Sequence, residues 1–97
     1  MGDSELRKVF QRIDSLEDEN ERIVAEIVYR SLISARTPKD VTYLFSEVDQ
    51  RGRNLSQKWR SFENHEKNLY FREALEALIG MDIIIRREDE LYELVNP

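Results

Sequence analysis

The 97-residue chain has no cysteine, so disulfides and thiolate metal sites are excluded. It has one histidine, and a lone imidazole without a cysteine does not complete a zinc site. Glycine occurs three times and proline twice, too rarely for a linker, a low-complexity tract or a glycine-rich phosphate loop. No apolar run approaches the ~20 residues that cross a bilayer, and no membrane association is expected. The first residues lack the basic start of a signal peptide, with Asp3 and Glu5 in its place, which leads us to expect a cytoplasmic protein. Basic charge is also in deficit: 15 Lys and Arg stand against 20 Asp and Glu, a net charge of −5. Such a chain repels nucleic acid at long range and is not drawn to anionic membranes.

What is present is apolar periodicity. Hydrophobic residues make up 40% of the chain, enough for one modest core and too few for a core plus a deep pocket. Leu6, Val9, Phe10, Ile13 and Leu16 follow Ser4, a candidate N-cap, at helical spacing. Ile23, Val24, Ile27, Val28 and Leu32 repeat that spacing. Two readings of the acidic stretch between them stand open. Asp18 and Glu21 could form a capping box that starts a new helix. Alternatively one helix runs through, because Leu6, Ile13, Asn20 and Ile27 lie seven apart, as do Val9, Leu16 and Ile23. In that case Leu6, Val9, Ile13, Leu16, Asn20 and Ile23 form a coiled-coil seam for a homodimer, with Asn20 fixing register.

Thr37-Pro38 reads as N-cap and first helical residue, with Val41, Leu44, Phe45 and Val48 on one face and Gly52 as terminator. The spacing predicts a helix over 38–49. Leu55, Trp59 and Phe62 predict a short helix, with Asn54 as its cap and Trp59 in the core. After a break at 64–66, a helix carries Phe71, Ala74, Leu75, Leu78 and Ile79 and ends at Gly80. Ile83–Ile85 and the alternating Leu91–Val95 then predict a β-hairpin around a polar turn.

The order of three helices and a hairpin, carried by Phe71 to Val95, resembles the winged-helix superfamily. The matching features are Leu75, Leu78, Gly80, the Ile-rich strand, the tip Arg86–Glu90 and the returning Tyr92–Leu94. The resemblance covers roughly 20–97 and implies a mainly α fold with a C-terminal β-hairpin: a winged helix-turn-helix at 20–97, with an extra amphipathic helix at 1–19 for packing or dimerisation. It also implies a third helix that reads DNA in the major groove. The sequence departs from that pattern. Residues 67–79 offer Lys67 and Arg72 together with Glu73 and Glu76, and the tip sets Arg86-Arg87 beside Glu88-Asp89-Glu90.

Charge is unevenly spread. Residues 31–60 hold six basic and three acidic groups, a net of +3, and 51–60 contain four cations and no acid. A local positive field survives the acidic total because salt screens charges beyond ~8–10 Å. The first functional expectation is therefore a small DNA-binding regulator of transcription or replication. Arg51, Arg53, Asn54, Lys58, Arg60, Lys67, Arg72, Arg86 and Arg87 would be its nucleic-acid contacts. The alternative is an acidic winged-helix adaptor that meets a protein with a basic surface and does not touch DNA. No nucleophile motif, metal cluster or cofactor loop is evident, so neither enzymatic activity nor a cofactor is expected.

Overall fold

The computed structural model describes residues 3–55 and 57–95. Five helices precede a two-stranded antiparallel hairpin: α1 (Asp3–Asp14), α2 (Glu19–Ala35), α3 (Val41–Leu55), α4 (Gln57–Ser61), α5 (Asn64–Gly80), β1 (Ile84–Arg86) and β2 (Tyr92–Leu94). The expected mainly helical architecture with a C-terminal hairpin is what the chain adopts.

α2 is the central element. Val24, Ala25, Ile27, Val28, Tyr29, Ser31 and Leu32 are all buried on it, and α1, α3, α5 and β2 pack around it. A helix contacted on several sides must be apolar over more than one narrow stripe. The buried Ser31 hydroxyl donates to the Ile27 carbonyl at 2.7 Å, and among the described residues no buried side-chain polar atom lacks a partner.

The helix running through Asn20 does not form. α1 stops at Asp14, and Asp18 caps α2 from an extended conformation. Its carboxylate accepts the backbone N–H of Asn20 at 2.8 Å and of Glu21 at 3.0 Å. Two orphan donors satisfied at once outweigh the unbroken heptad phase. Asn20 is therefore neither a seam residue of a straight helix nor the cap; it is the second residue of α2. Ser4 is likewise not a cap, since α1 already includes Asp3. α1 folds back so that Ile13 is fully buried and Leu6, Val9, Phe10 and Leu16 lie against the shared core.

Thr37-Pro38 does not start α3. The chain bends at Thr37, and Lys39 pairs with Tyr92 in an isolated antiparallel bridge. Lys39 N–H donates to the Tyr92 carbonyl at 3.0 Å, and Tyr92 N–H returns the bond at 2.7 Å. Asp40 caps the helix instead, accepting from Tyr43 N–H at 2.9 Å.

Gly52 does not end α3, and Asn54 does not cap the next helix; α3 continues to Leu55. The side chain of Leu55, expected to join Trp59 and Phe62, falls outside the described part. Gly52 is needed for a different reason. A Cβ there would lie 2.9 Å from Cδ1 of Trp59, so the glycine lets the indole of α4 lie flat on the α3 backbone. Trp59 is only 2% exposed, in the core as expected, with Phe62 edge-on at 6.1 Å and Tyr70 stacked on Phe62 at 5.2 Å.

The expected break at 64–66 is the first turn of α5. Glu66 reaches back to accept the Glu63 N–H at 3.2 Å. Phe71, Ala74, Leu75 and Leu78 face inward, and Phe71 meets Phe45 edge-on at 5.3 Å. α5 ends at Gly80, but the left-handed residue of the exit is Asp82, at φ 58°. In the hairpin Ile84 faces Leu94 and Arg86 faces Tyr92. Ile84 and Tyr92 point into the core and Ile85 points out, the alternation a half-buried strand requires.

Candidate interaction surface

Of the nine residues expected to contact nucleic acid, Arg51, Arg53, Lys67, Arg86 and Arg87 are engaged in ion pairs within the chain. Arg51 pairs with Glu47 at 3.0 Å and Arg53 with Asp49 at 2.9 Å. Arg86 pairs with Glu90 at 3.1 Å, and Arg87 with Asp89 at 3.2 Å and Glu93 at 3.6 Å. Arg60 donates to the Arg53 carbonyl at 2.7 Å. Lys58, Arg60 and Arg72 form no ion pair with any described residue. Asn54 is exposed, in a shallow depression with Arg30 and Arg51.

Lys67 does not lie on the solvent face of α5, where its spacing predicts it; it is 7% exposed. Its ammonium donates to Asp49 at 3.0 Å and lies 5.7 Å from the centre of the Trp59 ring. The same Asp49 oxygen accepts the indole N–H at 3.2 Å. One carboxylate thus ties α3, α4 and α5 together, and Lys67 is spent inside the fold.

With Lys67 removed, the outward face of α5 presents His65, Asn68, Leu69, Arg72, Glu73 and Glu76. Leu69 is 55% exposed, the highest value among the large exposed hydrophobics. Helical spacing puts Glu66, Arg72 and Glu73 one turn from it. Leu69 lies off the Phe71–Leu78 stripe, so helical spacing alone marks it as exposed. His65 lies 3.4 Å from Glu63, both well exposed.

Asp18, Glu21 and Glu73, none of them in an ion pair among the described residues, gather where α5 passes the start of α2. Glu21 has its carboxyl raised above the ordinary range, first by burial, then by the charges of Glu73 and Asp18. A carboxyl raised by folding holds its proton more tightly in the native state, so stability falls as pH climbs from the unfolded-state value to the folded one. Glu21→Gln is therefore expected to raise the melting temperature at pH 7 and to leave it unchanged near pH 3, where the carboxyl is protonated in both states. Thermal melts of both proteins across that range check this.

The residues of the expected seam are drawn into the chain's own packing. Ile13 is fully buried, and Leu6, Val9, Leu16 and Ile23 are half-buried against the core. No helix among the described residues is long and apolar enough to cross a membrane. No family model, curated protein or solved structure matches the chain.

Proposed function

We propose that the chain is a winged helix-turn-helix domain acting as a protein–protein adaptor, docking a partner with a basic surface through the outward face of α5. The observation that carries this reading is Leu69, an exposed leucine whose helical neighbours Glu66, Glu73 and Glu76 outnumber the one cation, Arg72. A DNA-reading helix places basic and amide side chains on that face. An apolar centre with an acidic surround suits a basic protein surface, where complementary charge steers encounter and the leucine supplies the burial.

The winged-helix part of the reading is supported by the bridge between Lys39 and Tyr92. It adds the segment between α2 and α3 to the hairpin, giving an arrangement of helix, short strand, two helices and wing. α4 lengthens the connection between α3 and α5 beyond the three or four residues of a simple helix-turn-helix.

The test compares wild type with Leu69→Lys in affinity capture from the native host, beside a titration of mixed-sequence duplex DNA at ~50 mM salt, where phosphate attraction is strongest. A basic protein captured by wild type, weakened by salt and lost from Leu69→Lys, is the expected result. Binding of duplex by wild type that is abolished by Lys58→Ala with Arg60→Ala would overturn the adaptor reading in favour of DNA.

A further inference from the structure

A groove of about 430 Å³ opens between α1, the end of α2, the segment 36–38 and β2. Leu6, Leu32, Ile33, Pro38 and Leu94 supply most of its lining, and Arg36 and Glu93 its charge. The two charges are not equivalent. Glu93 is already paired with Arg87 at 3.6 Å. Arg36 forms no ion pair with a described residue, so its guanidinium stands free of a carboxylate beside an apolar wall.

Arg36 also stands where a side chain is disfavoured. It ends α2 in the left-handed conformation, at φ 61°, with its N–H on the Leu32 carbonyl. That position is normally taken by glycine or asparagine, because the Cβ of an L residue crowds the backbone there. A guanidinium with no ion-pair partner among the described residues, beside an apolar groove, is free to meet an anion that enters it.

We propose that this groove binds a small amphiphile carrying one carboxylate, its apolar chain among Leu6, Leu32, Ile33 and Leu94 and its carboxylate on Arg36. The volume falls within the range of small-ligand sites, ~300–1,000 Å³. Charge complementarity selects an anion, and the guanidinium matches a carboxylate with two parallel hydrogen bonds. This site lies on elements other than the outward face of α5, so it does not depend on the adaptor reading.

The experiment is a methyl and amide NMR titration with octanoate, with octylamine as the chain-matched cation. Octanoate should shift the Leu6, Ile33 and Leu94 methyls saturably and bind at least about tenfold tighter than octylamine, the discrimination one charge-assisted contact supplies. Arg36→Gly keeps its fold, since glycine takes the left-handed conformation freely, and should lose that preference. Equal binding of the two ligands, shifts confined to other residues, or an unchanged preference in Arg36→Gly would overturn the proposal. So would broadening of the same methyls that grows with protein concentration without ligand, the mark of a second copy seated in the groove.

Discussion

Asp49→Ala is expected to lower stability by about 3 kcal/mol, the low end of the range for removing one member of a buried ion pair. The low end applies because the Asp49 side chain keeps 26% of its exposure, whereas that of Lys67 keeps 9%. The substitution strands two groups together. The Lys67 ammonium loses its carboxylate, and the Trp59 indole N–H loses its acceptor. For a domain of this size each 1 kcal/mol moves the melting temperature by ~4–8 °C, so a fall of roughly 12–24 °C should be seen by calorimetry. Removing Lys67 in the same chain, as Asp49→Ala with Lys67→Met, should recover much of the loss, because no charge is then left buried. A double variant as unstable as the single one would place the defect in the Trp59 contact.

The pH dependence of that loss follows from the same contacts. Burial by itself pushes the Asp49 carboxyl up; the hydrogen bonds from Lys67 and Trp59, the Lys67 charge and the Arg53 hydrogen bond outweigh it and hold the group below its ordinary value. A carboxyl depressed by folding contributes stability that is fully present above the unfolded-state value of ~3.9 and is lost as pH falls through the folded one. The melting gap between wild type and Asp49→Asn should therefore stay constant from pH 8 to pH 5 and close below about pH 4.

Where the sequence and the structure part, the cause is a contact made across the chain. The stripes at Val24–Leu32 and Phe71–Leu78 declare their buried faces by spacing alone, and both are buried. Trp59 is assigned to the core by its distance from Phe62. Helix ends are different, because several residues compete to satisfy the same orphan groups. Thr37-Pro38 has the composition of a helix start, yet Lys39 is claimed by Tyr92, 53 positions along the chain, and the cap passes to Asp40. Gly52 has the composition of a terminator, yet its missing side chain serves Trp59.

The charged residues were harder still. Arg51 and Arg53 have their acids at i−4, and Arg86 and Arg87 have theirs within the same hairpin. Those pairs were within reach of the sequence. The Lys67–Asp49 bond spans 18 positions, and nothing local in the sequence marks Lys67 as the cation that turns inward.

Ile13→Ala is expected to cost about 2–5 kcal/mol, the range for truncating a buried aliphatic side chain that leaves a cavity. Ile13 is fully buried at the end of α1, and α1 is held there by contacts along its length. Phe10 meets Tyr29 edge-on at 5.3 Å, and the Arg30 guanidinium lies 4.7 Å from the centre of the Phe10 ring. Arg12 donates to the Met81 carbonyl, beyond the end of α5. A domain of this kind has ~5–15 kcal/mol in all, so the variant should melt far below wild type, while Leu69→Ala, on the exposed face of α5, should leave melting within ~0.5 kcal/mol of wild type. The dependence on concentration separates the two roles open to Ile13. Packing within one chain lowers the melting temperature by the same amount at every protein concentration, whereas a contact between chains follows mass action. Melts of wild type and Ile13→Ala over a hundredfold concentration range should therefore run parallel; a gap that changes with dilution would assign Ile13 to an intermolecular seam.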